Sequence, residues 1–342
     1  MKILIASGIY PPDIGGPAQY ARNLYETWKK EGYDVKVAAY RWERIAPPVL
    51  RHLLYLTKII RKGWNADLIL VLDTWSAAVP TMIACKLMRK RYVIRTGGDF
   101  LWETYVERTG DLVLLKDFYG SRMGKLSLKE RLVRKWGGAS LRTAAAVIFS
   151  TSWQKGIFEK AYGLHAKKSH IVENYCGERL ERAEPDGRAF IAATRDLKWK
   201  NIDALKEAFR EAQSRSDQLG LPGIELDTGK AVYDSFVEKI RRAYAVILVS
   251  LGDISPNMIY DAVRAGTPFI LTKENGIADR VKDAAVFVDP LDQEDIVEKI
   301  LWLAVPENRA AQAEKVRRLS FKHSWEDVAD EITRVWESAK KN

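Results

Sequence analysis

The sequence predicts an α/β protein of two parallel-sheet domains, and three observations predict it. Short β-branched runs, apolar throughout instead of alternating, recur along the chain, as strands buried on both faces of a parallel sheet do. Helical periodicity fills the gaps between them, which means right-handed crossovers in an open sheet. One polar stretch interrupts the series, and 342 residues is enough for about two domains.

The elements follow in order. Strands are read at KILIAS (2–7), DVKVAAY (34–40), LILVLD (68–73), YVIRT (92–96), AAVIFST (145–151) and HIVEN (170–174). Helices are read near 17–31, 47–62, 76–89, 127–142 and 153–161. These make a first domain over 1–175. The segment CGERLERAEPDGRA, with Pro185 and Gly187 and little to bury, reads as a linker over 176–188. A second domain over 189–322 carries strands AFIAAT (189–194), GIEL (223–226), AVILVS (245–250), PFILTK (268–273) and AVFVD (285–289), followed by helical sequence whose last part is a C-terminal helix over 323–342. Ligands of open α/β sheets bind at the carboxyl ends of the strands, so a cleft there is expected.

The charge is unevenly distributed. Residues 1–175 hold 29 basic and 15 acidic side chains, and the remainder holds 26 and 30, for a net charge of +10. A cationic half and a mildly acidic half point to an anionic surface, polymer or substrate at the first domain. Cys85 and Cys176 make neither a disulfide framework nor, with four histidines, a metal site, which fits a reduced cytosol. The apolar start MKILIAS stops at Pro11-Pro12 and reads as a strand, not a signal peptide. The stretch 68–88 is broken by Asp73 and Pro80 and reads as a strand and helix, not a membrane span.

Three stretches could carry chemistry. The first strand is followed by Gly15-Gly16-Pro17 without a dinucleotide fingerprint. Paired glycines before a helix let free amides approach an anion, although taken in isolation they read better as an ordinary turn before a helix. After the strand at 189–194 come Arg195 and Lys200, two cations suited to a diphosphate if they are not solvated surface. After the strand at 245–250, Asp253 lies in the loop and Asp261 inside the helix that Ser255-Pro256 is expected to start. A carboxylate at a strand end can hold sugar hydroxyls; the alternatives are a turn aspartate and a solvated helix position.

Taken together, Gly15-Gly16, Arg195 with Lys200-Asn201, and two carboxylates with seven residues between them before Ala-Gly-Thr-Pro resemble the retaining GT-B glycosyltransferases of family 4. RTGGDFLWE (95–103) is similar to a Gly-Asp-x-x-Trp-Glu stretch in part of that family, and VENYCGE (172–178) to its interdomain Asn segment. The resemblance implies a GT-B fold with two Rossmann-like domains facing across a cleft and a C-terminal helix returning to the first. It implies transfer of a hexose from a nucleotide-sugar donor to a cell-envelope glycan or lipid-linked acceptor, with no metal required. Gly15 and Gly16 would face the donor phosphates and the acceptor, and Arg195 and Lys200 would neutralise the departing diphosphate. Asp253 would contact the transferred sugar and Asp261 the ribose. Asp99 would orient the acceptor or polarise its hydroxyl, or else shape its Gly97-Gly98 turn. No covalent nucleophile is named.

Two departures matter. Both carboxylates are aspartates where the family has glutamates. About a dozen residues separate the helix ending near Ser216 from Gly229, and Lys230 alone stands before the next helix, so the second domain reads as shortened. A catalytically degenerate sugar-nucleotide-binding or assembly protein is the alternative function. The basic stretches 47–64 and 116–136 fit either docking on anionic lipid or half-buried helices with solvated basic edges. Nucleic acid is not expected, because no helix-turn-helix, zinc, KH or RNP pattern appears. The expected location is the cytoplasm, with peripheral contact at the inner face of the membrane under the first of those readings. Most of the eleven tryptophans fall in apolar stretches and are expected in the core.

Overall fold

The computed structural model describes residues 1–13, 15–181, 183–192 and 197–341, with Pro48 described for its backbone only. Arg195 lies outside the described residues. The chain divides into two compact units, one of Met1–Leu101, Gly124–Tyr175 and His323–Asn342, the other of Trp102–Met123 and Cys176–Lys322.

In the first unit the chain runs β1 (Lys2–Ser7), α1 (Gly16–Lys30), β2 (Asp34–Ala39), α2 (Pro48–Gly63), β3 (Leu68–Val71), α3 (Ala78–Met88) and β4 (Val93–Thr96). The chain then leaves this unit near the start of α4 (Phe100–Thr109), passes through α5 (Leu115–Ser121), and returns to it for α6 (Leu128–Thr143), β5 (Ala146–Phe149), α7 (Ser152–Tyr162) and β6 (Ser169–Ile171). The six strands form one all-parallel sheet in the order β2-β1-β3-β4-β5-β6. Side chains of β3, β4 and β5 are buried throughout, as the unbroken apolar sequence of β3 and β5 requires, while β4 also buries Arg95 and Thr96. One face is packed by α2, α3, α6 and α7 through Tyr55, Ile59, Ala84, Leu141 and Phe158. The other is packed by α1 through Trp28 and by the C-terminal helix through Ile332 and Trp336.

The second unit holds β7 (Ala189–Ala192), α8 (Ile202–Gln218), β8 (Glu225–Asp227), α9 (Tyr233–Arg241), β9 (Ala245–Leu248), α10 (Asn257–Ala265) and β10 (Phe269–Thr272). After these come α11 (Ala278–Val281), β11 (Val286–Val288), α12 (Gln293–Ala304) and α13 (Pro306–Arg318). Its five strands are also all parallel, in the order β11-β10-β9-β7-β8. The last helix, α14 (Trp325–Lys340), starts in a capping box of Ser324 and Asp327 and belongs to the first unit, packing against α1.

Several expectations need correction. Trp102–Met123, read as part of the first domain, groups with the second unit and contains α4 from its third residue and all of α5. The stretch 176–188 is not free of packing, since Cys176 is buried in the core of the second unit. Ser255 does not cap α10; Pro256 is the capping residue and the helix starts at Asn257. The helix after Lys230 begins three residues later, at Tyr233. Trp42, Trp64, Trp136 and Trp302 are exposed, so the core holds fewer tryptophans than their sequence setting implies. Among the described residues, no helix is long and apolar enough to cross a membrane.

Candidate active site

In the second unit, β7 and β9 lie side by side in parallel register, with Phe190 beside Ala245 and Ala192 beside Ile247. Their carboxyl ends therefore release two loops at one edge of the sheet, and the Leu251 amide donates to the Trp199 carbonyl at 2.9 Å to join them. The junction brings Lys200 to Asp253. Its ammonium donates to Asp253 Oδ2 at 2.5 Å, with both side chains about nine-tenths buried. Ser250 Oγ donates to the same oxygen at 3.2 Å, and the ammonium stands 4.4 Å from the centre of the Trp199 ring.

Asp253 is also fixed through its backbone. Its amide donates to the Glu274 carbonyl at 2.8 Å, and its carbonyl accepts from the Gly276 amide at 3.0 Å. After Lys200, Asn201 turns the chain at φ 58° and donates its side-chain amide to the Pro290 carbonyl at 2.7 Å, which anchors the start of α8.

Asp261 sits inside α10 and is buried, not solvated. Arg264, one turn on, donates to its Oδ1 at 2.9 Å, and the Tyr233 hydroxyl donates to the same atom at 3.3 Å. Burial raises the Asp261 carboxyl above its ordinary range, against the opposing pull of Arg264 and Tyr233. Arg264 is itself held by the Glu178 carbonyl at 3.0 Å. Each of the two carboxylates thus has its own cation.

The segment that sequence reasoning placed elsewhere supports this edge. The Leu115 amide donates to the Leu251 carbonyl at 3.2 Å, Trp102 packs against Trp199 with ring centres 5.6 Å apart, and Lys116 pairs with Glu274 at 2.5 Å. Gly252 lies between them: a Cβ there would meet Leu115 Cβ at 2.6 Å and the Trp102 ring at 3.3 Å, so only glycine fits. Trp102, Lys116, Ser250 and Glu274 were not singled out as site residues from the sequence. The similarity of Gly-Asp-x-x-Trp-Glu did pass through Trp102.

In the first unit, Gly15 caps α1 at φ 148°, a conformation that favours glycine, and its carbonyl accepts the Ala18 and Gln19 amides at 3.1 Å. A Cβ at Gly16 would meet open space, and α1 has no acidic residue in its first turn. Asp99 is buried directly before α4, after a turn in which the Gly98 carbonyl accepts from Thr96 Oγ at 2.9 Å. Arg95, at the end of β4, is buried, donates to Ser150 Oγ at 2.9 Å and to Asn174 Oδ1, and lies 3.9 Å from the centre of the Tyr20 ring. The side chain of Asn174, from the segment expected to link the domains, is therefore tied to the first sheet. Among the described residues, no group of three or more His, Cys, Asp or Glu side chains could hold a metal.

No protein-family model matches the sequence, and no curated protein matches it. Solved structures do match. The chain is similar to a sucrose-phosphate synthase from Thermosynechococcus elongatus, at 14% identity with a TM-score of 0.71 and 99% of each chain covered. It is similar to HepE of Anabaena, solved with UDP, at 14% identity and TM-score 0.69, covering 99% of this chain and 100% of that one. WaaG, a glycosyltransferase involved in lipopolysaccharide biosynthesis, matches at 13% identity and TM-score 0.64, with 98% and 99% covered. These likenesses show the fold: two parallel-sheet α/β domains of the GT-B kind, as the sequence predicted.

Proposed function

We propose that this chain is a retaining, nucleotide-sugar-dependent glycosyltransferase that moves a hexose to a cell-envelope glycan or glycolipid in the cytoplasm. The observation that carries the reading is the meeting of Lys200 and Asp253 at the carboxyl edge of β7 and β9. A cation for the leaving phosphate and a carboxylate for a sugar are what glycosyl transfer needs at one point. HepE, of the same fold, has been solved with UDP-glucose and with UDP and glucose, which supports a sugar-nucleotide in this kind of site.

On this reading the bond between the sugar's anomeric carbon and the phosphate oxygen breaks, and its electron pair leaves with the nucleoside diphosphate. Lys200 and Arg195 offset that charge, so no metal is called for. Lys200 is then shared between Asp253 and the phosphate, and Asp253 holds hydroxyls of the transferred sugar. Asp261 serves the ribose. The acceptor oxygen bonds the anomeric carbon on the face the phosphate leaves, and its proton passes to the departing phosphate. Gly15, Gly16 and Asp99 serve the acceptor side.

A second reading has its own support. Both carboxylates are shortened to aspartate, and each is already neutralised by an internal cation, Lys200 or Arg264. That arrangement suits a protein that binds sugar nucleotide without transferring it. Thermal melting with a panel of UDP-, GDP- and dTDP-sugars tests the shared premise, since a ligand of the native state raises the melting temperature. A rise with one nucleotide series is expected, and a flat response across the panel would sink both readings.

A further inference from the structure

The helices on one face of the first unit have a composition unlike those on the other. α2, α3 and α6 pack in one layer, with α3 touching both of the others. With α7, which packs on the same face, their sequences carry twelve basic residues and two acids, Glu130 and the half-buried Glu159, which pairs with Lys155. Glu130 is buried and engaged in the capping box of α6 with Ser127, so it puts no negative charge on the surface. On the opposite face of the same sheet, α1 and α14 carry five basic and six acidic residues. The cationic surplus seen in the sequence therefore sits largely on one side of the first sheet.

The cationic layer also exposes large apolar side chains. Along α6, Leu128, Leu132 and Trp136 recur every four residues and are 78%, 52% and 42% exposed. Lys125, Lys129 and Lys135 stand exposed around them. On α2, Val49, Leu50 and Leu53 are exposed near Arg51, with Trp64 exposed just past its end. Single exposed leucines need no explanation. A stripe at helical spacing, ringed by cations and free of acids, does need one.

We propose that this layer, with the outer stripe of α6 at its centre, is a docking surface for an anionic phospholipid bilayer. The charge fits lipid headgroups, and the apolar stripe gives the surface something to place among acyl chains, as interfacial amphipathic helices do. A nucleic acid would use the cations but has no role for Leu128 and Leu132. The inference is independent of the glycosyl-transfer reading, because it rests on residues remote in sequence from Lys200 and Asp253.

The test is flotation of the full chain with vesicles of phosphatidylcholine alone or mixed equally with phosphatidylglycerol. Binding to the mixed vesicles, weakened by salt, and none to the neutral ones is expected. The variant Lys125→Glu, Lys129→Glu, Lys135→Glu should bind roughly a hundredfold more weakly. The variant Leu128→Ser, Leu132→Ser, Trp136→Ser, which keeps every charge, should lose roughly tenfold or more. All six positions are exposed, so both variants should keep the parent's melting temperature and its nucleotide-sugar response. The reversal Lys29→Glu, Lys30→Glu, Arg334→Glu on the opposite face should leave vesicle binding unchanged. The proposal is overturned if the chain ignores mixed vesicles, if the opposite-face variant loses as much as the α6 variant, or if RNA binds as tightly and as independently of the apolar stripe.

Discussion

Lys200 and Asp253 lie 53 positions apart and meet in one short ion pair, with Ser250 on the same oxygen. Removing one partner strands the other in a largely buried setting, so Lys200→Met or Asp253→Asn alone should lower unfolding stability by about 2–4 kcal/mol. The double variant should recover at least half of that, which urea unfolding of the three proteins would show. His52 offers a pH test. Tyr40 donates its hydroxyl proton to the Ser76 carbonyl at 2.6 Å, so His52 Nδ1, 2.7 Å away, is the donor to Tyr40. Burial, then nearby Arg51, lowers the His52 pKa below its ordinary 6.5. The unfolded chain therefore takes up a proton first, and this contribution is present above that value and lost as pH falls through it. His52→Gln should flatten that limb of the stability curve between about pH 7 and pH 5, although His170, lowered in the same sense, will keep part of it. Asp253, Asp261 and Lys200 of the candidate site could be singled out in the sequence, through the resemblance their spacing carries. Their pairing was not legible there, since nothing local tells a chain which distant cation a carboxylate will find. The burial of Asp261 was not either, because periodicity gives a helix face without saying what packs on it.

At the scale of elements, the eleven strands among the described residues fall within or next to the apolar runs, most plainly β3, β5, β9 and β10, which are buried throughout, and least plainly the partly exposed β2, β6 and β8. The pattern along the chain predicts neither α4 nor α5, although Leu101, Trp102, Tyr105 and Val106 are buried at helical spacing in α4, with polar residues between them. What no local pattern conveys is that Trp102–Met123 groups with the second unit. That grouping predicts opposite outcomes for two glycines. Gly252→Ala should cost about 1–3 kcal/mol by forcing its Cβ against Leu115 and Trp102. Gly120→Ala, inside α5 with open space at its Cβ, should gain about 0.5–1 kcal/mol. Thermal unfolding of both proteins checks the pair.

For the whole molecule, the charge asymmetry between the halves of the sequence becomes, in the structure, a cationic layer on one face of the first sheet. The second sheet has five parallel strands, and β8 and α9 occupy the short stretch that read as trimmed. The central claim is that Lys200 and Asp253 act together on a sugar nucleotide. Its most direct measurement is release of nucleoside diphosphate by the purified chain, over UDP-, GDP- and dTDP-sugars with a glycolipid extract as acceptor, for the parent and Asp253→Asn. The account predicts transfer from one nucleotide series, reduced by about a hundredfold or more in the variant with donor binding retained. Binding without release in the parent, or equal release by parent and variant, would contradict it.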